Sequence, residues 1–423
     1  MLERTTCLLL LLAITAGCDD RRGTPEDAGP PDAAPPSEDA SPSDAATPDA
    51  GPVACADALA ERAVAIDPEG PDTQIHPVVR WDGEALWVVY VRPEPGGGDF
   101  DVWATRLGCD GAPRVAPFLV QESPEGNDID PELVVSGDRV LVAWQTDDGT
   151  GGTDNLQIRY RVLDRDGAPV SGDRVLRTVR AGEPVTDNHM MPKLAVAPDG
   201  GFLVAGIRAS DVGRFAVFVQ PLDRDGALVG EALEPGPEAM ITQSAPSIAV
   251  AADGAIWLAY DRAPDEGATE VWLWETTGAP ALALEGLTGA SGADLVAIDG
   301  GVYLAFAGET PAGNDLRLLQ VGGAEAALVG VPRRTETAPR WAPAPDGRLG
   351  LAYFRQVRGF TMELLVAPVT AGDPPEAGEE QLVHDAAPAY QPALTHVEGD
   401  YWFASWAEGA SPAFRLRGAF LRL

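Results

Sequence analysis

The chain has 423 residues, 45% of them hydrophobic, with 47 glycines and 38 prolines, a load that long helices do not tolerate. Its 65 acidic residues against 30 basic ones leave a formal charge of -35, which repels a polyanion over most of the surface. A helical bundle and a nucleic-acid partner are thereby excluded; divalent cations, basic proteins and neutral glycans stay compatible.

Residues 1–17 read MLERTTCLLLLLAITAG, with Arg4 ahead of an apolar run from Cys7 to Ile14 that is too short to span a bilayer. This is the pattern of a cleaved export signal. Ala16 and Gly17 directly before Cys18 resemble the lipobox of bacterial lipoproteins, with Thr15 where that family usually has Leu. The resemblance implies that Cys18 becomes the lipidated first residue, anchoring the protein to a membrane of the bacterial cell envelope with its domain outside the cytoplasm. Asp19 resembles the inner-membrane retention signal of enteric bacteria, and the choice between inner and outer membrane stays open.

Residues 18–52 comprise that cysteine and a Pro-, Ala- and Asp-rich stretch without apolar periodicity. Such a segment buries too little surface to offset ordering entropy and is expected to be a disordered tether, about 100 Å long as extended polyproline and about 30 Å as a coil.

Residues 53–423 form the domain, and from about residue 73 onward one pattern recurs: a residue often preceding Pro, a short apolar strand, a DG-type turn, and a second apolar strand ending in an aromatic. The copies are PVVRWDGEALWVVY from Pro77, PELVVSGDRVLVAW from Pro131, PKLAVAPDGGFLVAG from Pro192, PSIAVAADGAIWLAY from Pro246, DLVAIDGGVYLAF from Asp294, PRWAPAPDGRLGLAY from Pro339 and PALTHVEGDYWFASW from Pro392. Their last positions are Tyr90, Trp144, Gly206, Tyr260, Phe306, Tyr353 and Trp406, and only Gly206 breaks the aromatic rule. A third strand follows each hairpin, then a tight turn such as CDGAP from Cys109 or DRDGAP from Asp164, then a weaker fourth strand. Spacings of 46 to 62 residues fit four strands with loops, the size of a propeller blade. The predicted fold is all-β, a β-propeller of seven four-stranded blades.

The last repeat stops after its third strand, AFRLRGAFLRL, while ERAVAIDPEGPDTQIHP from Glu61 resembles the stretch that ends the second repeat. The N-terminal segment is therefore expected to supply the missing strand and close the ring. The domain resembles the seven-bladed propellers of many uncharacterised bacterial envelope lipoproteins. Cys55 and Cys109 flank the closing segment and the first blade's last turn, where a disulfide would fasten the closure; two free buried thiols are the alternative.

In a propeller the loops before the first strand and after the second share one face around the channel mouth. The first set ends in Gln74 and His76, Asp128 and Asp130, Asn188 and His189, Gln243 and Ser244, Glu336 and Thr337, and Tyr390 and Gln391. One reading is that exposed loops are polar and residues before Pro adopt extended backbone. The sharper one is a ring of hydrogen-bonding groups at the mouth, with His76, Asp128, Asp130, His189, Gln243 and Gln391 as candidate ligand-binding residues and the two histidines equivalent. Glu132 and Lys193, each just after a proline of neighbouring repeats, are expected to face one another.

The acidic stretch DDGTGGTDN from Asp147 makes calcium a candidate cofactor, although it lacks the spacing of an EF-hand loop. There is no GxSxG, HExxH, SxxK or CxxC. The turns at Asp164 and Asp223 stand where sialidase-like propellers carry an Asp-box, without its Ser and Trp. The leading expectation is a lipid-anchored, monomeric binding or scaffolding module for an envelope protein or glycan. The alternative is a polysaccharide-acting hydrolase or lyase using loop-face carboxylates or a bound cation.

Overall fold

The computed structural model describes residues 63–423 except 94–97, 123–125, 148–155, 185–187, 210–214, 237–241, 265–266, 286–288, 311–312, 332–333, 360, 386–388 and 411. The export signal, Cys18, the tether and Cys55 lie outside the described residues, as does most of the acidic stretch after Asp147.

All described elements of regular structure are strands, arranged as seven antiparallel blades. Blade one runs Ile75–Trp81, Leu86–Pro93, Phe100–Leu107 and Pro113–Leu119 from axis to rim. The others repeat that order from Asp128, His189, Thr242, Ala290, Thr335 and Ala389. The fourth strand is the weakest, as its sequence implies: in blade three it is reduced to the bridges Val219–Leu233 and Leu222–Leu228. Each first strand touches the first strands of both neighbouring blades, so the seven form a closed inner ring.

Ring closure follows the expected route. Ala63–Ala65 pairs antiparallel with the last strand, Ala63 opposite Ala419 and Ala65 opposite Arg417, and so completes blade seven. Cys109, in the first blade's last turn, is disulfide-bonded. The closing strand passes close by, because a Cβ on Gly111 would lie 2.8 Å from Val64 Cγ2.

The recurrent aromatic has a structural partner that periodicity alone does not reveal. In every blade the first strand carries a bulge in which two residues oppose one of the second strand, and that one is the repeat's last position: Tyr90, Trp144, Gly206, Tyr260, Phe306, Tyr353 or Trp406. The first bulge residue has positive φ throughout: His76 (56°), Asp130 (50°), Met191 (54°), Ala245 (47°), Gly292 (66°), Ala338 (53°) and Gln391 (56°). Six of these precede proline, and the one that does not, in the fifth blade, is glycine.

The extended conformation expected before proline is thus overturned. A bulge must turn the strand left-handed for one residue, and pairing on both sides overrides the local preference at a cost of about 1–3 kcal/mol per site.

The exception at Gly206 is steric. A Cβ there would lie 2.8 Å from Ile158 Cδ1, 2.9 Å from Met190 O and 2.9 Å from Phe218 Cζ. Phe218, directly opposite on the third strand and fully buried, fills the volume that the aromatic takes elsewhere.

Candidate functional site

The polar residues before the first strands fall into two classes. Two positions ahead of each left-handed residue stand Gln74, Asp128, His189, Gln243, Ala290, Glu336 and Ala389, none more than 2% exposed. Polar members of this set pin neighbouring blades. Gln74 Oε1 accepts the Leu416 amide at 3.2 Å, Gln243 Oε1 accepts the Val217 amide at 2.6 Å, and His189 Nε2 lies 3.2 Å from Thr178 Oγ1. His189 also packs edge-on against Phe218. His76 and His189 are therefore not equivalent: the first is the left-handed residue of its bulge, the second sits two places before Met191.

Asp128 is buried beside Asp101, and the Gln121 amide donates to both, at 2.8 and 2.7 Å. Burial pushes its carboxyl up to about 7; a hydrogen bond with Thr146 opposes this and the Asp101 charge adds to it. Of the six candidate residues, Asp128, His189 and Gln243 thus belong to the packing between blades, not to the mouth.

The other three meet. His76, Asp130 and Gln391 are the bulge residues of blades one, two and seven, adjacent around the ring. Gln391 Oε1 accepts the His76 amide at 2.7 Å, and His76 Nδ1 lies 2.8 Å from Asp130 Oδ1. The Asp130 amide donates toward the same nitrogen at 3.2 Å, so Nδ1 is engaged by both the backbone and the carboxylate of Asp130.

Burial alone would raise the Asp130 carboxyl; the His76 charge and hydrogen bond, with Lys193 beside them, outweigh it and hold the group below its ordinary range. Lys193 pairs with Glu132, as their places in the repeat imply. Tyr390, next to Gln391, is 38% exposed and rests edge-on against Phe414 at 5.4 Å.

The repeat provides its own control. The same backbone position holds Met191, Ala245, Gly292 and Ala338 in blades three to six, so the bulge requires nothing polar there. Histidine and aspartate tolerate left-handed backbone better than most residues, but methionine and alanine serve equally in this ring. The polar run across blades seven, one and two is a departure from sevenfold equivalence that the architecture does not demand. Among the described residues no group of three or more His, Cys, Asp or Glu side chains is placed to hold a metal ion.

No family model matches the chain, and no curated protein does. Among solved structures, a polysaccharide lyase of family PL25, an ulvan lyase bound to -[GlcA(1-4)Rha3S]-, superposes with a TM-score of 0.53 at 11% identity, covering 85% of this chain and 93% of that one. The polysaccharide lyase Uly1 gives a TM-score of 0.52 at 10% identity over 82% of this chain and 90% of its own. A protein of unknown function from Dyadobacter fermentans gives 0.51 at 12% identity over 86% and 99%. At these identities the likeness is one of fold: the chain is a seven-bladed β-propeller with polysaccharide lyases among its structural neighbours.

Proposed function

We propose that the protein acts on a polysaccharide at the channel mouth, with His76 as the acid–base group, Asp130 orienting it, Gln391 fixing the His76 backbone and Tyr390 offering a ring on which a sugar stacks. The observation that carries this reading is the break in equivalence at blades seven, one and two, where a hydrogen-bonded Gln–His–Asp run replaces the small or apolar residues of the other blades. An imidazole held by a carboxylate through Nδ1 presents Nε2 to a substrate, the arrangement that proton transfer from or to a sugar needs. The polysaccharide lyases among the fold neighbours support a glycan over a protein partner. Lipid attachment through Cys18 and the acidic tether belong to the same proposal: a monomeric envelope protein working on glycan near the membrane that holds it.

The test is a screen of purified protein against a polysaccharide panel, following new reducing ends and absorbance of unsaturated products. Turnover by the wild type that falls at least about a hundredfold in His76→Ala, the typical contribution of a general acid or base, supports the proposal. Turnover untouched by His76→Ala and Asp130→Asn, in variants with wild-type thermal melts, removes the site.

A further inference from the structure

Beneath the mouth the inner ring carries charge that the fold does not use. On each first strand the side chains two and four places after the left-handed residue form two rows around the ring. In the deeper row blade one has Arg80 where the other blades have Val134, Ala195, Ala249, Val296, Ala342 and Thr395, and in the upper row blade six has Arg340. Neither row requires arginine.

The other polar groups of these rows are matched. Lys193 pairs with Glu132, Asp294 Oδ1 accepts the Ser247 hydroxyl at 3.0 Å, Asp294 Oδ2 accepts the Trp341 amide at 2.7 Å, and Thr395 Oγ1 accepts the Trp81 amide at 3.3 Å. The Trp81 and Trp341 amides therefore point off their own second strands and into the ring. Val79 and Pro339 stand two residues earlier on the same strands, so their carbonyls face the same way. Those are the carbonyls that the arginines touch: Arg80 Nη1 donates to Val79 O at 2.8 Å and Arg340 Nη1 to Pro339 O at 3.2 Å. Both guanidinium groups thus lie on the channel side of the first strands.

Among the described residues neither arginine has a carboxylate partner. Their remaining nitrogens are not sealed away from solvent, as Arg92 Nε and Arg159 Nε are, so most of their N–H donors face the open channel. Blade seven lies between them and brings the small side chains of Ala393 and Thr395 to the two rows. The rows are about 7 Å apart along a strand, a step that arginine side chains cross. Two guanidinium groups stand here against one carboxylate, Asp294, both of whose oxygens are engaged, inside a chain of formal charge -35. Low-dielectric walls focus that excess on an ion that enters.

We infer that the channel binds one small oxyanion, of the phosphate or sulfate type, between Arg340 and Arg80. Each guanidinium fork offers paired N–H groups to two oxygens of such an ion. The bound ion joins blade six to blade one across blade seven, the blade that the N-terminal strand completes, and so strengthens ring closure. The site is separate from His76 and Asp130 and stands whether or not the protein acts on a glycan.

The test is calorimetric titration of the purified protein with sodium phosphate, at an ionic strength held constant with sodium chloride so that general screening does not change. The expected result is saturable binding of one phosphate, weakened at least about tenfold in Arg80→Gln and in Arg340→Gln, since each variant loses charged hydrogen bonds. Glucose 6-phosphate titrated in parallel separates the sources of the group: binding of phosphate alone assigns a free ion, and tighter binding of the sugar phosphate assigns a group carried on a larger ligand. A crystal soaked in selenate gives a readout that needs no variant, an anomalous peak in the channel beside Arg340. Absence of saturable binding, binding unchanged in the double variant, or a selenate peak only elsewhere overturns the inference and leaves the two arginines as solvated channel side chains.

Discussion

Asp128 is buried at the seam of blades one and two with its carboxyl pushed up from 3.8 to about 7. Its replacement by asparagine gives a test whose sign and size are fixed beforehand. A carboxyl with a raised folded-state pKa holds a proton that the unfolded chain has released. Stability therefore falls as pH rises between the unfolded and folded values, and the loss is complete above the folded one. At about 1.4 kcal/mol per pH unit, the penalty gained between about pH 4.5 and about pH 8 is roughly 3 kcal/mol.

An asparagine at this position would keep an acceptor for the Gln121 amide, which now lies 2.8 Å from Asp128 Oδ2, and would not titrate. Asp128→Asn is thus expected to be near neutral at the lower pH and roughly 3 kcal/mol stabilising at the higher one. Urea denaturation of both proteins, compared at each pH, isolates this one group from the many other carboxylates they share. Equal differences at the two pH values would show that Asp128 ionises normally and that the burial argument is mistaken.

The bulges give a second expectation: Ala245→Gly and Ala338→Gly relieve left-handed backbone, so each should raise stability by about 1 kcal/mol, read as a higher melting temperature, where glycine inside a strand normally lowers it. Gly206→Ala, by contrast, forces a Cβ against Phe218 and a carbonyl oxygen and should cost about 1–3 kcal/mol. Adding Phe218→Leu should recover part of that cost, and additive losses in the double variant would reject the packing account. Peptide mapping without reduction should recover Cys109 joined to Cys55; any other partner for Cys109 refutes the proposed staple. Its removal is expected to cost about 4 kcal/mol, judged by the loop it closes.

Much of the architecture was legible because each blade restates it. Strand, Gly-containing turn and aromatic recur often enough that one odd member, Gly206, stands out instead of obscuring the period, and the unpaired final repeat announced that the N-terminal segment would complete it. The ion pair of Glu132 and Lys193 was likewise readable, since equivalent positions on adjacent first strands must approach one another.

The site was legible only in part. Side-chain chemistry does not record the sign of φ, so residues on the channel and residues two places earlier, buried between blades, looked alike as polar groups before a strand. His76 and His189 were paired for that reason. The signal that could have separated them was present: six prolines mark the second bulge residue, and in the fifth blade, where Ala293 replaces the proline, Gly292 marks the first. Tyr390 appeared among the mouth residues, but its exposure depends on how Phe414 supports it, a contact between strands that no local pattern encodes.

The closing strand also sets an order of events. Ala63–Ala65 is made before any blade, yet its partner, Ala413–Arg422, follows every other strand of the ring, and the Gln391 side chain reaches a backbone amide 315 residues upstream. Contacts of such sequence separation form slowly, because the intervening chain must be gathered before they contribute. Throughout synthesis the closing strand therefore has no partner, the first blade has an open flank, and the His76 amide lacks the Gln391 oxygen that accepts it. Ring closure and the seating of Gln391 against His76 therefore come together and late, which makes the last blade the timekeeper of the ring.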